Sequence, residues 1–75
     1  MIYFKINELI QQKERMENRV ISLQTISDES GVNRSALSKM KSPNIKYSTT
    51  TNTIEDLCRY FKCSVGDVIE FREDA

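Results

Sequence analysis

Arg34, Ser35, Ser38 and Lys39 fall within the run SGVNRSALSKM, residues 30–40, and they are the side chains best suited to chemistry with a polyanion. A guanidinium can make a two-pronged contact to guanine, and an ammonium can reach a base or a phosphate. Short hydroxyl side chains let a helix approach a groove closely, and they can donate or accept at base edges. From Ser30 through Ile54 the basic residues are Arg34, Lys39, Lys41 and Lys46, with no acid among them. All eleven acids and the other seven basic residues lie elsewhere, so this block carries +4 and the remainder −4 in a chain of net charge zero. The local field, not the sum, decides where an anion docks.

Other chemistries lack their parts. The chain has no histidine, so its serines have no His–Asp partner and its carboxylates no evident pocket in which to converge. Gly31 and Gly66 are the only glycines, which excludes a glycine-rich phosphate loop. An enzyme is not expected, and no cofactor is implied. Two cysteines without histidine do not make a four-ligand zinc site. Cys58 and Cys63 stand five apart on one helical segment, a spacing that points them away from each other. A mutual disulfide would need a broken helix, so reduced thiols and a cytoplasmic location are expected. Lys5 and Glu8 come too early for a signal peptide, and no run approaches the ~20 apolar residues of a membrane span. At 75 residues the chain is read as one soluble domain. A domain of this size buries only about 60% of its unfolded surface, so it needs close packing or a partner.

The elements that must hold these side chains follow from spacing. Ile2, Phe4 and Ile6 alternate with Tyr3 and Lys5, a candidate short strand. Ile6, Leu9, Ile10, Lys13 and Met16 then mark the stripe of a first helix, about residues 5–17. Ser22 is a good N-cap, flanked by Ile21 and Ile26 at staple spacing, for a second helix from Leu23 to Ser30. Gly31 suits its C-terminus, and Asn33 caps a third helix, Arg34 to Lys41, which Pro43 prevents from running on. On that helix Leu37, Met40 and Ala36 point inward, while Ser35, Ser38, Lys39 and Ser42 point outward and Arg34 projects from the first turn. A fourth helix begins near Thr51 with Ile54, Leu57, Cys58 and Phe61 on one stripe, and ends at Lys62–Cys63. SVGD, residues 64–67, is a capping box opening a fifth helix from Val65 to about Glu70. FREDA, residues 71–75, is either a frayed tail or a strand pairing with MIYF, residues 1–4.

YSTTTNT, residues 47–53, holds more hydroxyls than capping one helix requires. Such a run at a helix N-terminus can present O–H and N–H groups to a phosphate. Lys46, Tyr47, Thr49, Thr50 and Thr51 are therefore candidate phosphate contacts, together with Gln24, Asn33 and Lys41 around the third helix.

The order of parts resembles the lambda Cro and lambda repressor helix–turn–helix family, also called XRE-like regulators. Ile26, Ser27, Gly31, Val32 and Leu37 stand at the family's spacing, and LCRYFKCSVGDVIEF, residues 57–71, looks like its ending. The resemblance covers about Ile6 to Phe71. It implies an all-α, five-helix DNA-binding domain, here with a candidate short N-terminal strand, whose helix–turn–helix spans about residues 22–41. It further implies double-stranded DNA as partner, with Arg34, Ser35, Ser38 and Lys39 at the base-reading positions. Leu23 stands where the family often has Gln, with Gln24 beside it, and Lys62 where it often has Gly. The expected function is a small Cro-like transcriptional regulator acting as a homodimer; Val65, Val68, Ile69, Phe71 and the N-terminal segment either complete the core or supply the dimer contact. The alternative is a protein-interaction module, an antitoxin or adaptor, that reuses the same fold.

Overall fold

A computed structural model describes residues 1–42 and 47–73. Strand β1, Ile2–Phe4, is followed by helices α1, Ile6–Glu17, α2, Leu23–Ser30, and α3, Arg34–Lys41. Then come α4, Thr51–Phe61, α5, Val65–Val68, and strand β2, Ile69–Phe71. The described part is mostly helical, and its two strands join both ends of the chain. They pair antiparallel with Ile2 opposite Phe71, Tyr3 opposite Glu70 and Phe4 opposite Ile69. The Met1 and Arg72 backbones exchange two further hydrogen bonds of 2.8 and 3.0 Å.

Side chains cap the N-termini of α2, α3, α4 and α5, while Lys5 ahead of α1 makes no side-chain cap. Ser22, Asn33 and Thr50 accept hydrogen bonds from the backbone N–H groups of Thr25, Ser35 and Thr53, at 3.1, 2.7 and 3.2 Å. Asp67 accepts from the Ser64 backbone N–H at 3.1 Å and from the Ser64 hydroxyl at 3.0 Å. Those two bonds hold the Asp67 carboxyl below its ordinary range. Gly31 ends α2 at φ 82°, in the left-handed region that glycine enters without steric cost, and its N–H reaches the Ser27 carbonyl at 2.9 Å.

Two non-glycine residues take the same conformation. Asn18, at φ 51°, closes α1, and Lys62, at φ 55°, closes α4. Each costs on the order of 1 kcal/mol, less for Asn, whose side chain tolerates this region. After Asn18, the Arg19 N–H returns to the Glu14 carbonyl at 3.2 Å, while the Glu14 carboxylate accepts from the Ile21 N–H at 2.8 Å. One glutamate thus ties the end of α1 to the start of α2.

The core draws one fully buried side chain from every helix: Ile6, Ile26, Leu37, Leu57 and Val68. Ile21 and Ile26 are both buried in it, as the staple spacing anticipates. The Tyr60 hydroxyl of α4 donates to Glu29 of α2, and Arg19 reaches the same carboxylate at 3.3 Å. The hydroxyl's donated bond holds Glu29 below the usual carboxylate range, and burial pushes the Tyr60 phenol up.

Three expectations need correction, and one open alternative falls to the strand. The fifth helix stops at Val68 instead of running to Glu70, because residues 69–71 pair with β1. The FREDA segment therefore begins in a strand at Phe71. Met16 is 79% exposed, since the apolar stripe of α1 leaves the core before its last turn. Cys58 and Cys63 do not point apart. Lys62 reverses the chain, and the Cys63 N–H bonds the Cys58 carbonyl at 3.0 Å, the geometry of a Schellman terminus.

Asp67, Glu17 and Glu29 all titrate below the ordinary carboxylate range. A depressed folded pKa stabilises the fold above the unfolded pKa, and that stabilisation is lost as pH falls through the folded value. The thermal midpoint is therefore expected to drop on acidification from about pH 5 downward, and Asp67→Asn to remove part of that drop. Thermal unfolding followed by circular dichroism across this range checks both.

Candidate nucleic-acid interface

Helix α3 divides its side chains sharply. Leu37 and Met40 are buried and Ala36 is half-buried. Arg34, Ser35, Ser38, Lys39 and Lys41 are exposed, and so is the cap Asn33. The four candidate base readers thus share the solvent side of one short helix, held from behind by two core anchors. The Asn7 side-chain amide adds a 3.4 Å hydrogen bond to the carbonyl of Lys41 at the helix's far end.

The exposed side of α3 has no acid on its own helix and none bound to it. Among the described residues the acids pair with Lys5, Lys13, Arg19, Arg59 and Arg72. Arg34, Lys39 and Lys41 take part in no ion pair among those residues, and neither do Arg15 and Lys62 elsewhere. Uncommitted cations on a helix without acids leave their donors available to an external anion. The Ser35 and Ser38 hydroxyls likewise make no intramolecular hydrogen bond among the described residues.

Lys39 has one neighbour of consequence. Its ammonium lies 5.5 Å from the centroid of the Tyr47 ring, and that ring packs against Phe4 of β1 at 6.1 Å. A cation over an aromatic face is attracted by the ring quadrupole. Tyr47 is thus half-buried against the core as well as a candidate phosphate contact.

The remaining candidates are placed less uniformly. Asn33 spends its side-chain oxygen on the cap of α3, which leaves its amide free to donate. Gln24 donates to Asp28 at 2.9 Å, so its amide is committed to its own helix and an acid sits beside it. Thr50 accepts at the cap of α4, Thr51 is exposed in the first turn, and Thr49 is half-buried. Lys46 lies outside the described residues. Asn52, exposed at the second position of α4, is a further donor at that N-terminus. It was hidden by the longer threonine run around it.

The dimer candidates divide too. Val68 is only 1% exposed and cannot face a second chain, because it is the core side chain of α5. Ile2 and Phe71, directly opposite each other in the sheet, are 47% and 61% exposed, and Val65 is exposed as well. Ile69 is half-buried.

The family model for the Cro/C1-type HTH DNA-binding domain matches residues 6–74. The chain belongs to that family. The match spans all five helices and the capped α2–α3 corner, and it makes DNA the class of partner for this Cro/C1-type domain. No curated protein and no solved structure matches the chain significantly. No helix among the described residues is long and apolar enough to cross a membrane.

Asn33 separates the structural from the binding part of the corner. Asn33→Ala is expected to lower stability by about 1 kcal/mol through loss of the cap. Asn33→Asp keeps the cap and adds a negative charge, so it should preserve the thermal midpoint while weakening DNA binding. Paired melts and binding titrations read both effects.

Proposed function

We propose that this Cro/C1-type domain binds a specific double-stranded DNA sequence by laying α3 in the major groove, and that it regulates transcription. The observation that carries the reading is the exposed, acid-free side of α3, where Arg34, Ser35, Ser38 and Lys39 have no ion-pair or hydrogen-bond commitment among the described residues. Arg34 makes the two-pronged contact to guanine, and Lys39 reaches a neighbouring base edge. Ser35 and Ser38 provide close approach and adaptable hydroxyls.

Phosphates on either side are held by Asn33, Lys41, Tyr47, Thr49, Thr50 and Thr51, with Lys46 as a further contact; Gln24 joins them only by releasing Asp28. The free N–H groups at the start of α4 favour an anion there. The domain acts in the cytoplasm as a homodimer, and Ile2, Val65 and Phe71 supply the apolar contact. Two copies address half-sites about 34 Å apart, one turn of DNA. Regulation of the repressor kind needs only occupancy of such a site.

Selection of bound duplexes from a random-sequence pool tests specificity. Arg34→Ala and Lys39→Ala are each expected to weaken binding to the selected site by about 1–3 kcal/mol, with the thermal midpoint nearly unchanged. The plot of log K against log salt should have a slope near −4 or steeper per protomer, from about four to five neutralised phosphates. A flat salt response, with both variants binding like wild type, would instead favour a protein partner for this surface.

A further inference from the structure

We infer that Cys58 and Cys63 form a dithiol that closes into an intramolecular disulfide, a modification site at the corner between α4 and α5. The pair are the only cysteines in the chain. In an unbroken helix, positions five apart face about 140° away from each other. Lys62, in the left-handed conformation at φ 55° and ψ 55°, ends α4 and folds the backbone back. The 3.0 Å bond from the Cys63 N–H to the Cys58 carbonyl fixes that reversal.

In a Schellman terminus the residue after the left-handed position comes against the side chain five earlier, a contact usually made by two apolar groups. Here both positions are cysteine. Both are half-buried and pack on the hydrophobic core. Burial, followed by the neighbouring Cys58, pushes the Cys63 thiol up. Cys63 also lines a surface recess with Lys5, Lys62 and Asp67, so a small oxidant can reach it.

The co-reactant is a low-molecular-weight disulfide such as glutathione disulfide. One of the two protein thiols, its proton lost to water, attacks one sulfur of that disulfide as the thiolate, forming a protein–glutathione mixed disulfide and releasing one glutathione thiolate. The other cysteine, its proton likewise lost to water, then attacks the protein sulfur of that mixed disulfide and releases the second. Two protein thiols are oxidised, and one glutathione disulfide is reduced to two thiols. The product bridges the end of α4 to the start of α5 without unwinding either.

The test treats the full chain with glutathione disulfide and reads intact mass and a tryptic map. The expected product is a monomer lighter by two hydrogens, with peptides 47–59 and 63–72 joined, since trypsin cuts after Lys46, Arg59, Lys62 and Arg72. Cys58→Ser and Cys63→Ser should each stop at a stable glutathione adduct. Lys62→Gly, which retains the left-handed corner, should cross-link as fully as wild type. The inference is overturned if wild type accumulates glutathione adducts or only interchain links. It is equally overturned if both thiols stay reduced while free dithiothreitol in the same buffer is oxidised.

Discussion

One fully buried side chain from each helix joins a single hydrophobic core, and the rest of the molecule is arranged around that constraint. Ile6, Ile26, Leu37, Leu57 and Val68 are the fully buried members. A chain of this length has little other apolar area to bury, so each anchor contributes a large share of its stability. Truncating one such Ile or Leu to Ala typically costs about 2–5 kcal/mol, comparable with the whole margin of a small domain. Two of eight residues in α3 are buried, Leu37 and Met40, and they suffice to fix its rotation. Apart from the half-buried Ala36, the other side chains on that helix are thereby released from structural duty.

The charge pattern follows from the same economy. A surface helix that served only the fold would gain from acidic and basic pairs along its length. Such pairs occur on α1 and α4, at Lys13–Glu17 and Arg59–Glu55. On α3 they are missing, and its cations face outward. The acids gather instead around Arg19, which ties the end of α1 to α2, around Arg59 within α4, and around Arg72 beside β2. A chain of zero net charge can in this way present a positive side.

Local signals carried most of the fold. The bounds of α2 and α3 were legible because Ser22, Gly31 and Asn33 are strong punctuation with a direct backbone role. The start of α4 near Thr51 was legible from the threonine run, of which Thr50 is the cap. What escaped was non-local or hinged on a single dihedral. Pairing of β1 with β2 joins residues at opposite ends of the chain, and no local pattern distinguishes that from a frayed tail. Val68 read equally well as core or as interface until the sheet drew Ile69 out of the helix. The contact of Cys58 with Cys63 depends on Lys62 adopting positive φ, which turns an apparent divergence into proximity. At the interface, the outward side of α3 followed from a helical wheel. The stacking of Lys39 on Tyr47 and the commitment of Gln24 to Asp28 are geometric facts that spacing alone does not contain.

Base reading by α3 from the major groove is checked by methylation interference on a selected duplex, because dimethyl sulfate modifies guanine at N7 in the major groove and adenine at N3 in the minor groove. Guanine N7 methylation within the half-sites is expected to block binding, and Arg34→Ala to abolish the block at one guanine per half-site. Interference confined to adenine N3, or none at all, would contradict it.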